Sequence, residues 1–435
     1  MSESTFSLFG RGIDGISVRG YKSLYEKCSI EVRPLTILAG ANSSGKSSIM
    51  QPLLLLKQTL EATYDPGALL LNGPNVKFTS VDQLLSKLSG KTDTDNFTIK
   101  IDIDDNPLIS TFAKQPKQGI QVVRSTYHIA NEPITISPGM THQEVSKILP
   151  ESISTNYDDL VFYADEAPLN TSVVSARGFL DFTLLGGSFI YSAISSDFQK
   201  HIRHIIHVPG LRGNPERTYN TTAVGHEFTG TFENYVASVI NHWQNTEDNR
   251  LRQLETDLKK LGLTWKVDAK QLNDVQFELR VGRLPRSGEA SDMVSLADVG
   301  FGVSQTLPVL VALLVAEPGQ LVYLEQPEIH LHPRAQATLA EVLADAANRG
   351  VRVVVETHSD LLLRRIQSLV AEGKIPPKNV KLHWFKRRDD GVTEVSSANL
   401  DDAGAFGEWP EDFSDIALEE ESRYLDAAES RLARR

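Results

Sequence analysis

Four hundred and thirty-five residues, 40% of them apolar, are enough to bury a substantial core, and the length suggests two or three structural units. The single cysteine, Cys28, excludes a disulfide framework and a cysteine-based zinc site and fits a reducing, cytoplasmic setting. A net charge of −12 argues against a surface that coats nucleic acid but leaves room for one basic patch. The start of the chain lacks a basic, then apolar, leader, and no run approaches about 20 apolar residues, so neither export nor membrane insertion is expected.

Residues 13–39 read as short strands closing on the apolar run Pro34-Leu-Thr-Ile-Leu-Ala39. Directly after it stands Gly40-Ala-Asn-Ser-Ser-Gly-Lys-Ser47, a complete G-x-x-x-x-G-K-S phosphate loop, followed by the helix-compatible Ile49-Met-Gln-Pro-Leu-Leu-Leu-Leu-Lys57. The residue types follow from the chemistry. Glycines let backbone N–H groups curl around phosphates, Lys46 reaches the β/γ oxygens, and the Ser47 hydroxyl ligates Mg²⁺. Gly40, Asn42, Ser43, Ser44, Gly45, Lys46, Ser47 and Ser48 are therefore the candidate nucleotide contacts. Pro52 inside the following helix is expected to kink it.

From about 65 to 290 the signals weaken. Alternation marks strands at Phe97–Ile103 and Ile120–Ile129, and the spacing of Leu251, Leu254, Leu258 and Leu261 predicts one amphipathic helix over 245–261, far too short for a coiled-coil arm. The chain divides on this reading into an N-terminal segment carrying the phosphate loop (1–64), a mixed insertion and helical lobe (65–290) and a C-terminal segment that completes the same unit (291–435). Strand, helix, strand recurs at Gln320–Glu325, Pro333–Asn348 and Val351–Glu356, the pattern of a parallel α/β sheet. A charged terminal helix is expected over 419–435.

Three further elements make the phosphate loop specific. The strand Leu321-Val-Tyr-Leu-Glu325 ends where a Walker B carboxylate must sit to hold Mg²⁺, which nominates Glu325. One strand–helix–strand unit later the chain reads Glu356-Thr-His-Ser-Asp360, and His358 at that strand tip is placed to reach a γ-phosphate or the attacking water. Upstream, Asp298-Val-Gly-Phe-Gly-Val-Ser-Gln305 opens an apolar helix, and a Gly/Ser-rich helix start is an anion-binding device.

In that order the motifs resemble those of ABC/SMC-like ATPases of the OLD-like and RecF-like kind. Gly20-Tyr-Lys-Ser-Leu and Glu325-Gln-Pro-Glu-Ile-His-Leu-His-Pro333 carry the same resemblance, and Pro209-Gly-Leu-Arg-Gly-Asn-Pro-Glu-Arg-Thr-Tyr219 and Trp409-Pro-Glu-Asp-Phe413 resemble a subgroup of prokaryotic ATPases, many associated with antiphage defence. The resemblance implies an α/β ABC-type ATPase head that binds ATP and Mg²⁺ and dimerises head to head, alone or within a higher even oligomer. Gly302, Ser304 and Gln305 of one subunit would complete the nucleotide site of the other. It implies a regulatory ATPase acting on a separately encoded nuclease or toxin in antiviral defence. A DNA-clamping repair or recombination ATPase and a slow or non-hydrolysing nucleotide sensor are the alternatives, and DNA or RNA stays open as a partner.

Two departures stand out. Val-Ser-Gln replaces the usual Ser-Gly-Gly-Gln, and Gln326 stands where a catalytic glutamate usually follows the Walker B acid. Glutamine orients water but takes no proton, so hydrolysis is expected to be slow or to use Glu328. His201, His204 and His207 have spacings that suit neither a helix face nor a strand, His330 and His332 fall by resemblance in the dimer-facing D-loop, and Arg212 and Arg217 sit in a Gly/Pro loop where surface ion pairs and nucleotide contacts are both open.

Overall fold

The computed structural model describes residues 12–129, 132–148, 172–184, 193–283, 292–407, 422–423 and 425. The Trp409–Phe413 tail and most of the 419–435 helix lie outside them. The N-terminal half carries β1 (Ile13–Arg19), β2 (Cys28–Glu31), β3 (Leu35–Gly40), α1 (Lys46–Glu61), β4 (Asn96–Ile103), β5 (Asn106–Gln115), β6 (Gly119–Ile129), β7 (Glu132–Ile136) and α2 (His142–Ile148). There follow β8 (Val173–Arg177), β9 (Asp181–Leu184), α3 (Ala193–Arg203), β10 (Ile206–Val208), β11 (Tyr219–Asn220), α4 (Val236–Asn245), α5 (Asn249–Lys260), β12 (Val267–Asn273) and β13 (Gln276–Gly282). The last third holds β14 (Met293–Ser295), α6 (Phe301–Val315), β15 (Leu321–Glu325), α7 (Pro333–Asn348), β16 (Arg352–Glu356), α8 (Asp360–Ala371), β17 (Val380–Arg387) and β18 (Thr393–Asn399).

The central sheet runs β10-β15-β16-β3-β17-β18, parallel except for the antiparallel β17–β18 pair. Its middle strands are apolar runs because both faces are covered: every residue of β3 is buried. On one face lie α1 and a six-stranded antiparallel sheet, β2-β1-β4-β5-β6-β7; on the other lie α4 to α8. The antiparallel sheet alternates as one-sided sheets do, with Phe97, Ile99, Ile101 and Ile103 of β4 pointing inward. There Tyr21 meets Phe97 edge to face (5.4 Å between ring centres) and Phe97 stacks on Phe112 (5.2 Å).

The middle of the chain does not stand apart from the head. Residues 206–208, assigned from sequence to the insertion, form β10 and pair with β15, and α4 and α5 pack on the same apolar core as β3 and β15. A buried ion pair adds a tie: Lys57 and Glu61, one turn apart on α1, bind each other, Lys57 donates to the Phe228 carbonyl (2.9 Å), and Glu61 accepts the Gly230 N–H (3.0 Å). The expected helix over 245–261 begins later. Asp248 caps α5 by accepting the Arg250 N–H, so 245–248 breaks two helices apart. Leu254 and Leu258 are fully buried, and α1 continues as helix through Pro52.

His383 fastens the sheet layers together, its ring nitrogens lying 2.7 Å from Ser397 Oγ and 2.9 Å from the Glu31 carbonyl. Burial pushes its pKa from 6.5 down to about 4. The unfolded chain takes up this proton near 6.5 and the folded chain only near 4, so the contribution is whole above 6.5 and lost as pH falls through that window. Urea unfolding from neutral pH down to about 4 should show a loss of up to about 3 kcal/mol from this group, and His383→Gln should flatten that slope.

Candidate nucleotide-binding site

The phosphate loop leaves β3 at the C-terminal edge of the parallel strands, where open α/β sheets place their ligands. Its curl depends on backbone that few side chains adopt: Gly40, Ser43 and Gly45 have φ of 140°, 60° and 107°. A Cβ on Gly40 would lie 2.2 Å from the Phe385 carbonyl, and one on Gly45 would lie 2.6 Å from Thr393 Oγ1. Thr393 also donates to the Ser44 carbonyl (2.7 Å), so β18 braces the loop from outside. No side chain caps α1, which leaves its first N–H groups for an anion. Lys46, nearly buried, donates to the Gly40 and Ala41 carbonyls at 3.0 and 2.8 Å, and burial lowers its pKa.

A cleft of about 470 Å³ opens above the loop, with Ser43, Gly45, Lys46, Ser47 and Ser48 on one wall and Lys22, Gln51, Lys87, Glu356 and Arg387 around it. Four cations facing this space suit a polyphosphate. Lys22 is held by Gln51 Oε1 (2.6 Å) and rests 4.7 Å above the Phe78 ring. The contributions of Lys22 and Arg387 escaped the sequence reading, since only β1–β3 and β17 packing brings them to the cleft.

Three carboxylates converge beside the loop. Glu325 and Glu356 are register partners on β15 and β16, and Glu356 in turn stands opposite Leu38 of β3. Glu356 therefore lies one strand from the phosphate-loop strand and Glu325 two. Ser47 Oγ donates to Glu356 Oε1 (3.0 Å), and the fully buried Tyr323 donates to Oε2 (3.0 Å). Burial raises the Glu356 pKa, with the Ser47 hydrogen bond opposing it.

Glu325 is gripped from the other side. Its oxygens lie 3.1 Å from His207 Nε2 and 3.1 Å from the Gly210 N–H. Burial opposes its charge, yet His207, Gly210 and Arg212 outweigh this and hold its pKa below the usual value. His207 also meets Asn75 Oδ1 (3.0 Å) and stacks on Tyr323, so a histidine of the H-x-x-H-x-x-H run supports the Walker B acid. His201 and His204 instead face Asp197 (3.6 Å) and Glu227 (3.4 Å), and no metal-holding group of three or more such residues exists among the described residues.

Glu328 Oε1 accepts from Thr357 Oγ1 (2.7 Å) and the His358 N–H (2.9 Å). Its Oε2 is buried with no hydrogen-bond partner, an orphaned acceptor next to the Lys46 charge. Gln326 sits in the left-handed region, φ 44°, its N–H donating to the Glu356 carbonyl (2.8 Å). His358 is exposed; partial burial and the Lys46 charge lower its pKa against a hydrogen bond to the Gly40 backbone.

The structure thus gathers Gly40–Ser48, Glu325, Gln326, Glu328 and His358 at one edge, with Glu356 added. The turn Gly302–Gln305 is not in the cleft. Ser304 and Gln305 are buried in their own chain, Ser304 donating to the Phe301 carbonyl (3.3 Å) and Gln305 to the Gly213 carbonyl (3.1 Å). Arg212, itself buried, joins Gln305 Oε1 to the Gln326 carbonyl (3.3 Å). What α6 presents outward is Gly300 and Phe301, the latter half-exposed against the His330 ring. Arg217 makes the exposed ion pair, 2.8 Å from Asp298.

A phosphate loop, a neighbouring acidic strand end and a histidine-bearing strand between them define a P-loop ATPase domain on an α/β sheet. Two family models match the chain: residues 12–166 match one described as "AAA ATPase domain", and residues 190–364 one described as "AAA domain, putative AbiEii toxin, Type IV TA system". Both segments that build the site thus match models of AAA ATPase domains, the first carrying the phosphate loop and the second Glu325, Glu328 and His358. No curated protein matches the chain. Among solved structures it is similar to an Smc head bound to the C-winged helix domain of ScpA, at 14% identity and TM-score 0.48 over 90% of this chain and 99% of that one. It is also similar to the Smc head with an extended coiled coil from Pyrococcus furiosus (12%, 0.48, 97% and 100%) and to the SMC head domain from Thermotoga maritima (10%, 0.41, 88% and 98%).

The loop geometry carries a direct test. Gly45→Ala forces a Cβ toward Thr393 at a left-handed position and should weaken binding of a fluorescent ATP analogue by about tenfold or more in equilibrium titration.

Proposed function

We propose that the protein is an ATP-binding, slowly ATP-hydrolysing ABC-type regulatory ATPase whose nucleotide-dependent dimerisation controls a separately encoded effector, a nuclease or toxin, in cytoplasmic antiviral defence. The observation that carries the ATPase part is the convergence of Lys46, Ser47 and Glu356 on one cleft, with His358 bonded to the Gly40 backbone beside it and Glu328 accepting the His358 N–H. The defence part draws support from the description of the model matched by residues 190–364, which names a toxin of a type IV system.

The donors fit a hard cation. Ser47 and Glu325 would hold it through oxygen, the donor type that Mg²⁺ prefers over softer ligands, with Glu356 bonded to the Ser47 hydroxyl behind them. When bound, Mg²⁺ supplies charge neutralisation at the β- and γ-phosphates. The chain's own residues do the rest. The loop N–H groups and Lys46 hold the phosphates, His358 senses the terminal one, and Gln326 fixes the Walker B turn without taking a proton. Glu328, with one oxygen anchored and the other free, is the acceptor left for the proton of the attacking water.

Dimerisation would bring Gly300 to Gly302 of α6 onto the partner's nucleotide, with Ser304 and Gln305 acting from behind through Arg212. A slow-turnover sensor is favoured over a fast motor by Gln326, and this puts the switch in ATP occupancy. A DNA clamp stays the alternative.

Light scattering should show monomer without nucleotide and an ATP-dependent dimer, and Lys46→Ala should abolish both ATP binding and that shift. Glu328→Gln should lower steady-state hydrolysis at least about 100-fold and prolong the dimer, while Gln326→Glu should raise turnover. Fast wild-type turnover indifferent to Glu328→Gln would sink this reading.

A further inference from the structure

The Ser47 hydroxyl has one proton and two lone pairs. If it ligates a cation it does so through a lone pair, so its proton must go to an acceptor outside the coordination sphere, and such outer partners set the orientation of ligands. Glu356 Oε1 takes that proton at 3.0 Å. Nothing about Glu356 is left free to drift: its other oxygen receives the Tyr323 hydroxyl, its carbonyl receives the Gln326 N–H, and the residue is 5% exposed. The residue expected from sequence to serve the cation, Glu325, stands a strand further out with both oxygens engaged by His207 and Gly210.

We propose that Glu356 is a positioning residue for the metal–nucleotide complex: by accepting the Ser47 proton it turns the lone pairs of Oγ toward the cation, and through its carbonyl it locks the Walker B turn in the same register. This rests on the nucleotide reading above and adds a role that Glu325 alone does not fill. The same side chain thus couples the two halves of the site, one through Ser47 and one through Gln326.

The test separates metal from nucleotide. MANT-ATP affinity is titrated in EDTA, and Mn²⁺ affinity of the ATP-loaded protein is read by electron paramagnetic resonance, for wild type, Glu356→Ala, Ser47→Ala and the double variant. Glu356→Ala should weaken Mn²⁺ by about 10–100-fold, far more than it changes MANT-ATP binding in EDTA, and the double variant should bind Mn²⁺ no more weakly than Ser47→Ala. Wild-type Mn²⁺ affinity in Glu356→Ala, or losses that add in the double variant, would overturn the proposal. Should Glu356→Ala lose MANT-ATP in EDTA as well, Glu356→Gln decides: its amide oxygen still accepts from Ser47, so retained Mn²⁺ affinity supports the role and a full loss overturns it. A wild type that binds no MANT-ATP would instead overturn the nucleotide reading itself.

Discussion

One strand, β16, stands between the phosphate-loop strand and the Walker B strand, and the spacing it imposes governs the site. Parallel neighbours lie about 4.8 Å apart, so Glu325 is roughly twice as far from β3 as Glu356 is. Ser47 meets the nearer carboxylate, while Glu325 turns to the histidine and the glycine N–H offered by β10 and its following loop. The side-chain alternation of the two strands then does the sorting. Tyr323, Glu325, Val354 and Glu356 face α1, whereas Val322, Leu324, Val353 and Val355 belong to the opposite core.

Burying so many charges together is costly unless each is bonded, and the site meets that condition almost throughout. Glu356 has two hydroxyl donors and Glu325 an imidazole and an amide. Arg212 spends its donors on three carbonyls and Gln305. The exceptions near the site, among the described residues, are Glu328 Oε2, the Ser44 hydroxyl of the phosphate loop, Asn75 Nδ2 and Glu233 Oε2. Glu328 is the one of these whose other oxygen is anchored at the tip of β16, by Thr357 and the His358 N–H.

Arg212 also explains why the Gly302–Gln305 turn stays out of the cleft. Gln305 is occupied by the Pro209–Gly213 loop, and that loop grips the Walker B turn, so α6 and Glu325 are mechanically one unit. Movement of either would be felt at the exposed Gly300–Phe301 end of α6. Gln326, held at φ 44° between Arg212 and Glu356, is the strained joint of this unit.

Local chemistry in the sequence determined the phosphate loop, the strand–helix–strand spacing and the carboxylate and histidine at their tips, because glycine freedom, apolar runs and helix periodicity are properties of neighbouring residues. It could not rank Glu325 against Glu356, since that depends on which strand inserts between two others about 300 residues apart. His207, Lys22 and Arg387 were not nominated for the site: each reaches it across a sheet or between sheets, although Lys22 stands in the Gly20-Tyr-Lys-Ser-Leu motif and His207 in the histidine run. The middle of the chain likewise read as an insertion because its signals are weak, yet β10 closes the edge of the central sheet. Long-range strand order, set by burial of both faces of one sheet, decided what the motifs alone left open.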